Sequence, residues 1–176
     1  WVAALSACAI HYNGIWRSPL TLYAHILRWE PQSAKIRNNL GIIALREGRL
    51  ADAEREFRAA LATYAGFGYV HRNLSAVLSR LGRPGEAISA LRQALALDPS
   101  LVVTYNNLGF AYGRRGDFAK AERTFRALGS QAATWINMSL VYAEHGDSAR
   151  ADEMRERAYA LAPDLRPEVN TTENHP

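Results

Sequence analysis

Four asparagines stand at matching places in this 176-residue chain: Asn39, Asn73, Asn107 and Asn137, separated by 34, 34 and 30 residues. An amide side chain offers both a donor and an acceptor, so such a row can pair with a peptide backbone whatever side chains that backbone carries. Arg46, Arg80 and Arg114 each follow one of these asparagines by seven residues, which places them on the same side of a helix. Glu144 takes that place after Asn137. Guanidinium groups pair with carboxylates in bidentate fashion, so the pattern favours an extended peptide that is acidic or carboxylate-bearing. Lys35, Asn38, Arg72 and Asn106 are expected to flank the same surface, with Tyr69, Phe110 and Ile42 adding apolar contact. Two plainer accounts compete: asparagines that cap or brace a helix pair, and arginines that are simply solvated.

Other reactive side chains point to no catalysis. The five histidines (His11, His25, His71, His145 and His175) show neither H-x-x-x-H nor H-E-x-x-H spacing, so no metal site and no cofactor are expected. Cys8 and His11 lie one helical turn apart, which suits packing better than a nucleophile and its base, and a single cysteine allows no internal disulfide. No glycine loop stands ahead of a helix in a phosphate-cradling arrangement. The net charge of +4 comes from 19 arginines and two lysines against 17 carboxylates. Acidic and basic residues alternate, as in REGRLADAEREFR, which reads as solvated helix surface with i,i+4 pairs. No basic block is interleaved with aromatics, so nucleic acid is not an expected partner. Asn73-Leu74-Ser75 and Asn137-Met138-Ser139 match a glycosylation acceptor but coincide with a repeat pattern; Asn170-Thr171-Thr172 lies in a polar tail and stays open.

The elements that must position the asparagines repeat with them. NNLGIIALREG (38–48), HRNLSAVLSRLG (71–82) and NNLGFAYGRRG (106–116) are offset by 34 residues with their terminal glycines in step. Behind each glycine, Ala53, Phe57 and Ala60 are matched by Ala87, Leu91 and Ala94, then by Ala121, Phe125 and Leu128. A 34-residue period with two apolar helical stripes per unit is the signature of a helix-turn-helix array. Gly41, Gly109, Ser75 and Ser139 are small enough to bring the first helix of a pair close to the second, with Ala53, Ala87, Ala121 and Ala151 expected opposite them. The glycine before each second helix supplies a left-handed residue that closes the first. No pair can bury its apolar faces alone, so stability comes from stacking on neighbours.

Position by position, Tyr105, Leu108, Gly109, Tyr112, Gly116, Ala121 and Phe125 resemble the tetratricopeptide (TPR) pattern, and Ala87, Leu91, Ala94 and Pro99 its second-helix half. Trp135, Met138, Ser139, Tyr142, Gly146, Ala151, Ala158 and Pro163 repeat it, and Gly14, Tyr23, Ile26 and Pro31 form a degenerate unit ahead. The resemblance implies an all-α solenoid of antiparallel helix pairs in a right-handed superhelix. Four full repeats are expected at 34–67, 68–101, 102–131 and 132–165, after a degenerate repeat at 1–33 and before a polar tail at 166–176. It also implies that first helices line a concave face into which the asparagine row points. The row resembles the asparagine ladder in the TPR domain of O-linked N-acetylglucosamine transferase. A protein-interaction scaffold that holds a peptide or protein segment, and is not itself an enzyme, is the function so implied. The lysine-and-asparagine clamp of chaperone-binding TPR proteins is only partly reproduced, and its specificity is not carried over. The junction RALGSQAATW is four residues short, which should shorten a second helix, with Gly129 ending it and Ser130 capping the next.

The ends suggest a location. WVAALSACAI carries no charge but is too short to span a bilayer, which needs about 20 residues. It reads as the exit of a longer membrane helix, as a lipoprotein box (Leu5 to Cys8), or as a helix packed on another subunit. Trp16, Leu22, Tyr23, Pro31, Asn39, Leu40 and Gly41 resemble the passage after the last span in bacterial membrane proteins similar to the transmembrane-and-TPR O-mannosyltransferases. That resemblance implies an extracytoplasmic, membrane-associated region, and as one alternative a region that presents substrate to a membrane glycosyltransferase. A lipoprotein assembly factor for a pilus or secretion complex, and a cytoplasmic scaffold, are the alternatives. Trp1, Val2, Leu5, Ile10, Trp16 and Leu20 leave apolar surface that calls for a membrane, upstream chain or multi-protein contact.

Overall fold

The computed structural model describes residues 18–167. A leading helix, α1 (Pro19–Trp29), precedes four helix pairs: α2 (Ala34–Arg46) with α3 (Leu50–Thr63), α4 (Gly68–Arg80) with α5 (Pro84–Leu97), α6 (Val102–Arg114) with α7 (Phe118–Arg126), and α8 (Gln131–Glu144) with α9 (Ser148–Leu161). A 3-10 turn, Pro163–Leu165, follows, and no strand occurs among the described residues. The sequence starts and stops these helices locally. Ser18 accepts a bond from the Thr21 N–H while Pro19 opens α1, a first helical position where its missing N–H costs nothing. The four turns within pairs share one closure. Arg49 N–H reaches Ala44 O, Arg83 reaches Leu78 O and Asp117 reaches Tyr112 O, each at 2.9 Å, and Asp147 reaches Tyr142 O at 3.0 Å. These bonds span five residues, and each needs a left-handed residue just inside it, supplied by Gly48, Gly82, Gly116 and Gly146 with φ between 71 and 82°.

The chain divides into two compact units between Pro99 and Ser100. In the first, Phe57, Val70 and Val77 are wholly buried together with Ala53, Ala60 and Ala87. In the second, Phe125, Met138 and Val141 fill the same role with Ala121 and Ala158. At two of these small residues the nearest atoms belong to a phenylalanine of the second helix. A Cβ on Gly41 would lie 2.6 Å from the Phe57 ring, and one on Gly109 would lie 2.3 Å from the Phe125 ring. A phenyl ring thus occupies the room that each glycine leaves, and burying it is worth about 2–3 kcal/mol. The two units with serine in place of this glycine, Ser75 and Ser139, carry Leu91 and Arg155 where the phenylalanines stand.

The short junction does shorten a second helix. The α7 helix has 9 residues where α3 has 14; Gly129 follows it with φ 85°, and Ser130 Oγ accepts from the Ala133 N–H to open α8. One consequence was not visible in the repeat pattern. A Cβ on Gly113 of α6 would lie 2.6 Å from Val141 of α8, so these two helices approach closely. The matching places in the first unit hold Leu45 and Ser79.

No residue of α1 is buried. Trp29 is 78% exposed, in edge-on contact with His25 at 6.5 Å, and Leu20 is exposed as well. The expectations for Trp1, Val2, Leu5, Cys8, Ile10, His11, Gly14 and Trp16, and those for Asn170 and His175, lie outside the described residues. Among the described residues, no helix is long and apolar enough to cross a membrane.

Candidate functional site

The asparagines fall on one accessible stripe of each first helix. In α2 the stripe is Lys35, Asn39, Ile42 and Arg46; in α4 it is Tyr69, Asn73, Ala76 and Arg80. In α6 it is Val103, Asn107, Phe110 and Arg114, and in α8 it is Ala133, Asn137, Leu140 and Glu144. Spacing of four, three and four residues keeps each set on one helix face. All four asparagines are half-buried, and the end members are exposed apart from Tyr69. Val103 and Leu140, 56% and 50% exposed, were missed from sequence although they occupy the places of Lys35 and Ile42. Carrying the repeat offset through those two positions would have found them.

Two of the residues expected beside the row, Asn38 and Asn106, bond to it. Asn38 is a correction: at 6% exposure it does not flank an open surface. Its Oδ1 instead accepts from Asn73 Nδ2 at 3.0 Å, across from α4 to α2. Asn38 Nδ2 points to Asn39 Oδ1 at 3.5 Å, and Asn39 Nδ2 donates to the Tyr23 hydroxyl of α1 at 3.3 Å. Asn106 repeats this in the second unit, where its Oδ1 accepts from Asn137 Nδ2 at 3.1 Å. The bracing role and the row are therefore both present, on adjacent residues. Burial explains the difference, since a buried amide must find partners inside the protein. The glycosylation reading at Asn73 and Asn137 meets the same obstacle, because Ser75 and Ser139 are buried and donate to Arg72 O and Ile136 O. Tyr69 is half-buried, packs at a tilt against Phe67 at 5.1 Å, and burial raises its phenol above the usual range, so it stays neutral at physiological pH.

Charge is sorted between first and second helices. No Asp or Glu occurs in α2, α4 or α6, and α8 has Glu144 alone. The ion pairs among the described residues join second helices and their flanking turns, except that Arg37 of α2 meets Glu56 of α3 at 3.3 Å. Lys35, Arg46, Arg72, Arg80 and Arg114 face no carboxylate within ion-pair distance among the described residues. Arg80 does donate to Leu45 O at 3.3 Å, a favourable seat for a cation at the α2 C-terminus. The first unit thus gathers four of these cations on its first helices, while the second unit's stripes hold Val103, Phe110 and Leu140 with a single arginine.

Comparison with known proteins agrees with this architecture. Two tetratricopeptide repeat family profiles match, one over residues 32–100 and the other over 78–144, so together they span more than half of the 176 residues. No curated protein sequence matches the chain. Among solved structures, YrrB, described as a TPR protein with an unusual peptide-binding site, is 22% identical with a TM-score of 0.68, over 90% of this chain and 84% of that one. MamA is 19% identical with a TM-score of 0.67, over 81% and 85%. A tetratricopeptide repeat protein from Parabacteroides merdae is 16% identical with a TM-score of 0.70, over 91% and 65%. At these identities the likeness is one of fold. The in-register turns, the glycine–phenylalanine contacts and the two family matches together place the chain in the tetratricopeptide repeat family.

Proposed function

We propose that this protein is an interaction scaffold whose first helices take up an extended, acidic protein segment. The observation that carries this reading is the sorting of charge: Lys35, Arg46, Arg80 and Arg114, which form no ion pair among the described residues, lie on the stripes that hold the asparagines, on helices without an acidic residue, while the second helices carry both signs and most of the ion pairs. An acidic segment would gain from the guanidinium groups of Arg46 and Arg80, and its backbone from the amides. The peptide-binding description of YrrB is consistent with such use of the fold. Fluorescence anisotropy with labelled acidic and basic decapeptides of equal length tests it. The acidic probe should bind, weaken as salt rises because exposed charges are screened over about 8–10 Å, and lose about 1–3 kcal/mol in an Asn73→Ala, Asn107→Ala double variant. Equal binding of both probes, or binding indifferent to the double variant, would sink the proposal.

We infer also that the N-terminal unit rests against a further surface, such as membrane, upstream chain or a second subunit. The exposed Trp29 and the absence of any buried residue in α1 favour this. A chain beginning near Ser33 should be more soluble than the whole chain, and only the whole chain should bind lipid vesicles or self-associate. A whole chain that is monomeric and ignores vesicles removes the support for a membrane-side location.

A further inference from the structure

The linker from α3 to α4, Tyr64-Ala65-Gly66-Phe67, is built from rings. Ala65 stands 34 residues after Pro31 and 34 before Pro99, so this linker lacks the proline of its neighbours. Ring packing fixes it instead. A Cβ on Gly66 would lie 2.7 Å from the Tyr64 ring, so that ring rests directly on the glycine. Tyr64 meets Phe67 edge-on at 4.5 Å, and Phe67 lies at a tilt to Tyr69 at 5.1 Å. Phe67 and Tyr69 pack in turn against the apolar core of the first unit. His71 Nε2 donates to Ala65 O at 3.1 Å and ties the linker to α4. The inner side of the ring row thus holds the linker, while Tyr64 at its outer end is 54% exposed.

Rings elsewhere are covered from within. In the second unit Tyr112, Trp135, Tyr142 and Tyr159 each lie under an arginine or lysine of that unit, at 5.2 to 5.8 Å. Among the described residues no ring of the first unit is covered in this way. The row of Tyr64, Phe67 and Tyr69 instead runs onto the α4 stripe, with Arg72 three residues beyond Tyr69 and Lys35 at the matching place of α2. Neither cation has a carboxylate within ion-pair distance among the described residues.

Resting on the acidic-segment reading above, we propose that Tyr64, Phe67 and Tyr69 seat a proline of that segment, next to its carboxylates. Three features select proline. An open ring would also attract a cation of the partner, but Lys35 and Arg72 beside this row repel one. Two of the linker's carbonyls are already taken, Ala65 O by His71 and Phe67 O by the Val70 N–H at 2.9 Å. A residue laid on the rings therefore finds few acceptors for its backbone N–H, and proline has none to lose. Proline is also rigid, so it gives up less freedom on docking than a phenylalanine would. Gly66 is the positioning residue of the seat, because Tyr64 can lie where it does while no Cβ is present.

Fluorescence anisotropy with the whole chain tests the seat. The probes are labelled decapeptides of glutamate and alanine that carry one proline at successive positions, each matched by versions with alanine, phenylalanine or lysine there. At one or two positions proline should bind about fivefold tighter than alanine, with phenylalanine gaining less and lysine losing. Tyr64→Ala and Gly66→Ala should each erase that preference while changing the affinity of the alanine version by less than about twofold. Tyr64→Phe should keep it. A purely structural role for Tyr64 would lower both affinities together. If Tyr64→Ala fails to fold, Gly66→Ala decides, since it retains every ring atom and only displaces one. No gain from proline at any position, a larger gain from phenylalanine, or a preference that survives Gly66→Ala overturns the proposal. So does tighter binding of a labelled single-stranded DNA decamer that Tyr64→Ala abolishes, because bases stack on such rings as well. Should the unaltered chain bind no acidic decapeptide, the acidic reading of the function fails on its own. An uncharged decapeptide of glycine, serine and proline, followed by NMR of the ring protons, then decides the seat. Shifts at Tyr64 and Tyr69 that are lost in Gly66→Ala uphold it, and unshifted rings reject it.

Discussion

The two units have the same repeat pattern and join their successive helix pairs by different means. In the first, the second helices are linked by charge. Arg83, in the turn before α5, contacts Glu54 of α3 at 2.7 Å and Glu86 of α5 at 2.6 Å, while Arg58 of α3 contacts Glu54 at 2.8 Å and Glu86 at 3.3 Å. In the second unit the ion pairs among the described residues stay within one helix and its adjoining turn or tail, as in Arg126–Glu122, Arg157–Glu153 and Arg166–Glu156. There Phe118 stacks on Tyr142 at 4.9 Å and meets His145 edge-on at 5.0 Å, and the guanidinium groups of Arg126 and Arg157 each lie over the Trp135 ring. In this unit α7 is short and α6 approaches α8 closely over Gly113, and the contacts between the pairs are made by rings. One repeat pattern therefore leaves the joint between pairs free to vary.

Removing a ring that fills a glycine's space should have the largest effect. Phe57→Ala in the first unit and Phe125→Ala in the second each delete a wholly buried ring. Each should cost about 3–5 kcal/mol, read by urea unfolding with hydrogen exchange assigned to the two units. The loss should appear mainly in the unit that carries the change, because stability in a repeat array is a sum of local terms. Equal loss of protection in both units would show that they unfold as one body and would dissolve the comparison.

Gly113→Ala comes next. Its new methyl would meet Val141 at 2.6 Å, and overpacking of this kind costs about 1–3 kcal/mol. Ser79→Ala, at the matching place in α4, should change stability by about 0.5 kcal/mol or less. If the strain is local to the shortened junction, Val141→Ala should recover part of the loss in the Gly113→Ala background, although alone it destabilises. A Gly113→Ala protein as stable as its parent would mean that α6 and α8 separate freely.

These contrasts show what sequence could and could not reveal. The helix pairs, their glycine closures and the shortened α7 were legible because each depends on residues close in sequence, such as Gly82 before Pro84 or Gly129 before Ser130. The asparagine stripe was legible too, because repetition marks a surface place as clearly as a core one. Asn38 was placed on the open side of that stripe, whereas it is buried. Two adjacent asparagines in one helix look alike in sequence, and only the neighbouring helix decides which is buried. Gly113 was silent because its need arises from Val141, whose approach depends on the four residues missing from the junction. Tyr23 was legible only as part of the degenerate repeat, and its bond to Asn39 joins two elements whose angle no local pattern encodes.

The smallest effect, and the one that bears most directly on the charged joint, concerns acid and salt. The Arg83 hydrogen bonds hold the Glu86 carboxyl below the usual carboxylate range, and the bonds to Glu86 and Glu54 raise Arg83 further above its already high value. A carboxyl whose folded value is depressed stabilises the fold fully above its unfolded value and loses that contribution as pH falls through the folded one. The contribution of Glu86 should therefore begin to fade below the ordinary glutamate value of 4.5 and vanish only in stronger acid. Arg83 stays charged throughout, so no matching loss is expected on the alkaline side short of extreme pH. Asp117 is likewise depressed, by Arg115, but that pair sits within a single turn and its loss in acid separates no helix pairs. The first unit's joint should thus weaken both in acid and in 1 M salt, because all four of its charged partners are reached by solvent to some degree, while the second unit's joint should hold in both. Glu86→Gln is the discriminating variant. At pH 7 it should lower hydrogen-exchange protection in α3 and α5 modestly, flatten the response of that unit to acid and salt, and leave α7 and α9 untouched. A first unit that keeps its full acid and salt response after Glu86→Gln would show that the joint is held by its apolar contacts, and the contrast between charged and aromatic joints would then fail.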